Sequence, residues 1–176
     1  MSISNLVKIT EIQDFLHKLK KLDLGLIAHQ LLHHGWTHQQ AMRAISCYKM
    51  FLSLAYLYPH IPLVPTQEID WVWHCHILHT RKYRQDCQML FGRFIDHEPD
   101  GEFWEQGEPL SLETAFDQTQ ALFEHYFGKS VLESTDFEQL DKLDLTENQS
   151  QQYNSCEAGH LCFQRSACGR PISNLV

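Results

Sequence analysis

No part of the 176-residue chain approaches the roughly 20 uninterrupted apolar residues that a membrane span needs. Its start, MSISNLVKITEIQD, has no basic opening followed by an apolar run and a cleavage site. These absences lead us to expect a cytoplasmic protein, or one exported by a route such signals do not report. Lysine and arginine are missing altogether between residues 94 and 128, where Asp96, Glu98, Asp100, Glu102, Glu105, Glu108, Glu113, Asp117 and Glu124 fall. With a formal net charge of −8, such a surface repels phosphate backbones and argues against nucleic acid as a partner. The small basic cluster Arg81, Lys82 and Arg84 reads as a solvated helix face, not a nucleic-acid patch. Also missing are a nucleophile elbow, a phosphate loop and a nucleotide fingerprint. Apolar residues nowhere alternate convincingly at the period of two that a half-buried strand requires. Cys-x₂-Cys spacing is absent as well. Of the six cysteines, Cys47, Cys75 and Cys87 sit inside apolar helical patterns, where a free thiol behaves as a small hydrophobe. A reducing compartment fits this usage.

What the chain does contain is 43% apolar residues, enough for one sizeable core but scarcely two. The spacing is helical throughout. A first helix is expected from about Thr10 to Lys21, with Phe15, Leu16, Leu19 and Leu22 as its stripe, and a second from Leu24 to His34, stopped by Gly35. Thr37 and Gln40 form a capping box for a long helix that Pro59 and Pro62 end. Thr66 starts another, with Glu68 and Asp70 in its first turn, running to about Phe91 before Gly92. Ser111 caps a helix over Leu112 to Phe127, closed by Gly128, and a weaker amphipathic segment covers Asp136 to Leu145. From Thr146 onward the chain is polar and aperiodic. The expected fold is all-α: a compact multi-helix bundle around a central buried helix at about 67–91, with a helical domain at 1–145. A poorly structured, flexible tail at 146–176 follows.

Residues 70–83, DWVWHCHILHTRKY, concentrate the chemistry. On a helical wheel Ile69, Val72, Trp73, His76, Thr80, Tyr83, Cys87 and Leu90 form one broad stripe, with His76 near its middle. Asp70 and His74 lie one turn apart on a different face. Trp71 and Leu78 flank that face and make the helix apolar nearly all round, so it should be central. A carboxylate buried there needs a cation, a donor or a metal. A structural Asp–His hydrogen bond and a shared ion both meet that need. His76 points too far from His74 to share an ion with it, and His76 and His79 are read as packing rings bonded to backbone. A His76→Phe change should therefore be tolerated.

Taken together these residues resemble the glycine-rich domain-containing protein-like family of bacterial proteins and plant domains. The resemblance rests on Asp70, Trp73 and His74; on Ile77, Leu78, Thr80, Tyr83 and Cys87; and on Phe91, Gly92, Phe94, Ile95, His97 and Pro99. Trp36, Ala41, Ala44, Tyr48, Phe51 and Leu52 fit the preceding helix, as do Val64 to Thr66 and the later Tyr126, Phe127 and Gly128. Two departures matter: histidine replaces aromatic or apolar residues at 76 and 79, and Asp96 stands where a second histidine often sits. Related proteins often end in Gly- and Cys-rich tails; this tail has few glycines but keeps Cys156, Cys162 and Cys168.

What the resemblance leaves over is Asp70, His74 and His97, the polar residues that packing explains least. Two imidazoles and a carboxylate are a ligand set of non-haem iron sites and of catalytic zinc sites with an open position. A divalent transition metal, zinc or iron, is the expected cofactor. His29 and His33, four apart, are further candidate ligands, and Tyr83 and Cys87 complete the candidate list. Two functions stay open at this point. One is a metal-binding helical domain, catalytic or not; the other is a non-catalytic interaction module with a structural Asp–His pair, meeting a protein through the acidic stretch or the tail. The pentamer ISNLV occurs at both ends, at 3–7 and 172–176; chance or a duplicated end would explain it, as would weak docking of the tail on the domain, within one molecule or between two.

Overall fold

The computed structural model describes residues 3–98, 103–105, 108–128 and 131–132. Over these described residues the chain forms an all-α domain with six helices. In order these are α1 (Ile3–Lys20), α2 (Gly25–His33), α3 (His38–Leu57), α4 (Gln67–Leu78), α5 (Thr80–Phe91) and α6 (Leu112–Phe127). A three-residue antiparallel pair, β1 (Phe103–Glu105) and β2 (Glu108–Leu110), precedes α6, with Phe103 opposite Leu110. So short a ribbon carries too few residues to display an alternating pattern, which is why strand periodicity missed it. The segment Asp136 to Leu145, the tail with its three cysteines and the second ISNLV lie outside the described residues. The first ISNLV opens α1, which begins seven residues ahead of the expected Thr10.

Caps set the helix starts as the residue types require. Thr37 accepts from the Gln40 backbone while the Gln40 side chain reaches back to the Thr37 N–H, a complete capping box for α3. Thr66 and Ser111 accept from Ile69 and Thr114 at the starts of α4 and α6. Gly92 ends α5 at φ +68°, a left-handed position that glycine adopts without strain.

The centre of the bundle is α3, not the helix at 67–91. Ten of the twenty α3 residues are buried, against five of twelve in α4 and three of twelve in α5. Helices α2, α4 and α6 all pack on α3, while α1 closes over α5. Phe15 of α1 stacks on Tyr56 at 4.0 Å between ring centroids, and Phe51 of α3 meets Trp73 of α4 at 5.2 Å. Leu16, read as part of the α1 stripe, is 43% exposed.

The expected single helix over 67–91 is broken at His79, whose ψ of +58° leaves the helical region. Two buried bonds require the break. Trp73 Nε1 donates to Tyr83 Oη at 2.9 Å, and His76 Nε2 lies 2.9 Å from Asp86 Oδ2. Both pairs span ten residues, which a straight helix would hold about 15 Å apart along its axis. The His79 ring, 3.2 Å from Gln30 Oε1, ties the corner to α2. No glycine or proline marks the break, so tertiary bonding alone decides it. One consequence is that Leu78 and Thr80 at the corner are exposed, Leu78 to 58%, instead of joining an apolar girdle.

His76 is buried as its place in the stripe implies, at 1% exposure, but its partners are side chains and not backbone. Its Nδ1 faces Tyr48 Oη at 3.0 Å and its Nε2 faces Asp86, which also pairs with Lys82 at 2.9 Å. Burial alone would raise the Asp86 carboxyl; the bonds from His76 and Lys82 and the Lys82 charge outweigh it and hold the group below its ordinary range.

Candidate metal centre

Three side chains of metal-ligand type, Asp70, His74 and His97, converge where α4 begins and the chain after α5 returns to it. Asp70 is in the first turn of α4, where the positive end of the helix dipole favours a carboxylate. His74 follows one turn later on the same face. His97 comes from the irregular segment past Gly92, 23 residues beyond His74. His97 Nε2 lies 2.8 Å from Asp70 Oδ1 and 3.1 Å from His74 Nε2, and His74 Nε2 is 3.6 Å from Asp70 Oδ1. Among the described residues these three are the group so arranged that an ion could take one atom from each.

The loop carrying His97 is fixed from below. Tyr83 donates from its hydroxyl to the Ile95 carbonyl at 2.6 Å, and the same oxygen accepts from Trp73. Burial pushes the Cys87 thiol up, against the lowering influence of the Ile95 backbone and the Tyr83 side chain. Such a thiol keeps its proton, whereas metals take the thiolate. Burial likewise raises the Tyr83 phenol above its ordinary range. Above this platform the His97 ring lies on the Trp73 indole, centroids 4.4 Å apart, and is 14% exposed. His74 and Asp70 are more open, at 33% and 37%. The triangle is thus dry on the His97 side and faces water on the other.

Tautomer chemistry constrains how this triangle can be satisfied. A neutral imidazole carries one N–H. If His97 Nε2 donates to Asp70, the facing His74 Nε2 either competes for the same proton or points a second N–H at the first. One shared ion would accept all three lone pairs at once. Ligands about 2.1 Å from a tetrahedral ion are about 3.4 Å apart, and the observed 2.8–3.6 Å edges bracket that spacing.

The other sequence candidates fall elsewhere. His29 and His33 face each other on α2, Nε2 to Nε2 at 3.2 Å, and neither joins the triangle. Tyr83 and Cys87 sit under the His97 loop. Asp96 is exposed, as are Glu98, Glu113, Asp117 and Glu124. Sequence reasoning did not find Trp73 as the surface on which His97 rests, nor Asp86 as the partner of His76. The one available signal was the run of tryptophan, histidine and tyrosine itself.

A helical domain presenting a solvent-facing carboxylate and two imidazoles is the class that fold and site define. The UCP032817-like family profile matches residues 20–118, more than half of the chain and all three side chains of the triangle, and the chain belongs to that family. It is similar to two curated proteins of Arabidopsis thaliana. Glycine-rich domain-containing protein 2 is 47% identical over 36 residues, 20% of this chain and 5% of that protein. Glycine-rich domain-containing protein 1 is 34% identical over 89 residues, 48% of this chain and 11% of that protein. The match therefore spans a small fraction of either relative. No solved structure gives a significant match. Among the described residues no helix is long and apolar enough to cross a membrane.

Proposed function

We propose that this chain is a metal-binding helical domain in which Asp70, His74 and His97 hold one divalent transition ion, zinc or iron. The observation that carries the reading is the convergence of two Nε2 atoms and one carboxylate oxygen within 3.6 Å, from segments 23 residues apart in sequence. Three protein ligands leave a coordination position open, as catalytic zinc and non-haem iron sites do and closed structural sites do not. The partial exposure of Asp70 and His74 gives that position access to water, so a metal-dependent hydrolase or oxidase is the enzymatic form of the proposal. The 2.8 Å contact of His97 with Asp70 supports a second reading. In it the pair is a structural hydrogen bond, and the domain is a non-catalytic interaction module.

Elemental analysis of untagged protein separates the two. The metal reading expects about one equivalent of zinc or iron, lost in His74→Ala and His97→Ala, because a three-ligand site spares no ligand. At a free ion concentration of roughly 100 times Kd the ion stabilises the fold by about 2.7 kcal/mol. For a chain of this size that raises Tm by roughly 5–10 °C. Protein that purifies without stoichiometric metal, and whose Tm is unmoved by added zinc, iron or copper, would return the site to the structural reading.

A further inference from the structure

A second pair of facing imidazole nitrogens stands on α2, apart from the triangle in its ligands and in its helix. Ile27 and Leu31 of α2 are fully buried. His29 and His33, each two residues further on, lie about 200° around the helix from them and are exposed. Their rings are 4.3 Å apart between centroids and inclined at 64°, with Nε2 to Nε2 at 3.2 Å. No Asp, Glu, Lys or Arg occurs between Gly25 and His33, so no ion pair on this helix competes for either ring.

The backbone fixes this spacing. Side chains one turn apart on a formed helix are already neighbours, so a bound ion orders little more than two exposed ring rotors. A direct bond between the two nitrogens uses one proton for two lone pairs. An ion with bonds of about 2.1 Å spaces its ligands about 3.0 Å apart at a right angle and about 3.4 Å apart at a tetrahedral one. The observed 3.2 Å lies between those values. Neither ligand is a carboxylate, and neutral imidazole suits copper, nickel and zinc better than magnesium or calcium.

We propose that His29 and His33 form a bidentate chelate for a late first-row divalent ion, with Cu(II) held more tightly than Ni(II) or Zn(II), water filling the remaining positions. The order follows the general affinity series for such ligands. This site is independent of the Asp70–His74–His97 reading and stands whether or not that one does.

The test uses the untagged full chain carrying His74→Ala and His97→Ala, so that the triangle contributes nothing. Copper titrated into it should show one tighter class of bound Cu(II), with a paramagnetic resonance signature of two imidazole nitrogens. Adding His29→Ala or His33→Ala should weaken that class at least tenfold and remove the two-nitrogen signature, while His34→Ala changes neither. If the double background folds poorly, the same substitutions in the wild-type chain should each lower the count of tightly bound copper by one. Affinity unchanged within twofold in both His29→Ala and His33→Ala, or loss of the class in His34→Ala, overturns the proposal.

Discussion

Replacing His76 with phenylalanine tests whether the buried polar chain through α3, α4 and α5 stabilises the domain. Read by its place in the apolar stripe, the change is benign; read by its bonds, it is not. His76 is 1% exposed and joins Tyr48 Oη at 3.0 Å to Asp86 Oδ2 at 2.9 Å. Phenylalanine leaves the Tyr48 hydroxyl fully buried and without its partner, at a cost of about 1–3 kcal/mol. Asp86 loses one of two donors but keeps Lys82 at 2.9 Å and some solvent, so its share is smaller, about 1 kcal/mol. Extra apolar burial by the larger ring offsets roughly 1 kcal/mol. The net loss is about 1–3 kcal/mol, or roughly 2–12 °C in Tm for a chain of this length. Urea denaturation should show a lower midpoint with an unchanged slope. Tyr48→Phe added to His76→Phe removes the orphaned hydroxyl and should recover about 1–2 kcal/mol. A single mutant with the wild-type midpoint, or a double mutant losing the full sum of both single changes, would refute the account.

Further outcomes follow from other contacts. Tyr83→Phe removes the hydroxyl that holds Ile95 and receives Trp73. It should lower stability by about 1–3 kcal/mol and, by loosening the loop that presents His97, weaken the zinc binding proposed for the triangle, as read in a calorimetric titration; unchanged affinity would show that the loop needs no such anchor. His79 has its pKa lowered by burial first and then by the nearby His76 and Lys82. Its neutral form therefore supports the fold fully above about pH 6.5, and that support is lost as pH falls from there through the lower folded-state value. In His79→Gln, which can keep a bond to Gln30, urea midpoints should decline less between pH 7 and pH 5 than in the wild type; parallel declines would assign the acid sensitivity elsewhere. Thr37→Ala dismantles the capping box at the start of α3 and should cost about 1 kcal/mol by the same measurement.

The relation between sequence and structure is clearest at the corner around His79. Local signals were strong wherever backbone groups had to be capped or the chain had to turn. Thr37 with Gln40, Thr66, Ser111, Gly92 and Gly128 mark helix ends that the fold uses, because each satisfies or ends backbone hydrogen bonding within a few residues of itself. The break at His79 carries no such mark. It exists because Trp73 meets Tyr83 and His76 meets Asp86, and those bonds become possible only after the helix has already turned.

The candidate site divides in the same way. Asp70 and His74 were legible as a pair because helical spacing of four residues fixes their proximity, and their union with His97 was expected from a family resemblance. The pattern by itself could not say that a Trp73 ring would carry His97, or that Tyr83 would hold the loop through the Ile95 carbonyl. Nor could it separate His29 and His33 from that site, since spacing along one helix says nothing about what lies across from it. The sequence by itself determined the all-α class, the cap-bounded helix ends and the i, i+4 pairs, all of which depend on short-range backbone geometry. Only the tertiary structure decided that α3 is the centre, that 67–91 is two helices, and which imidazoles face one another. Those outcomes depend on side chains meeting across distances that no local periodicity encodes.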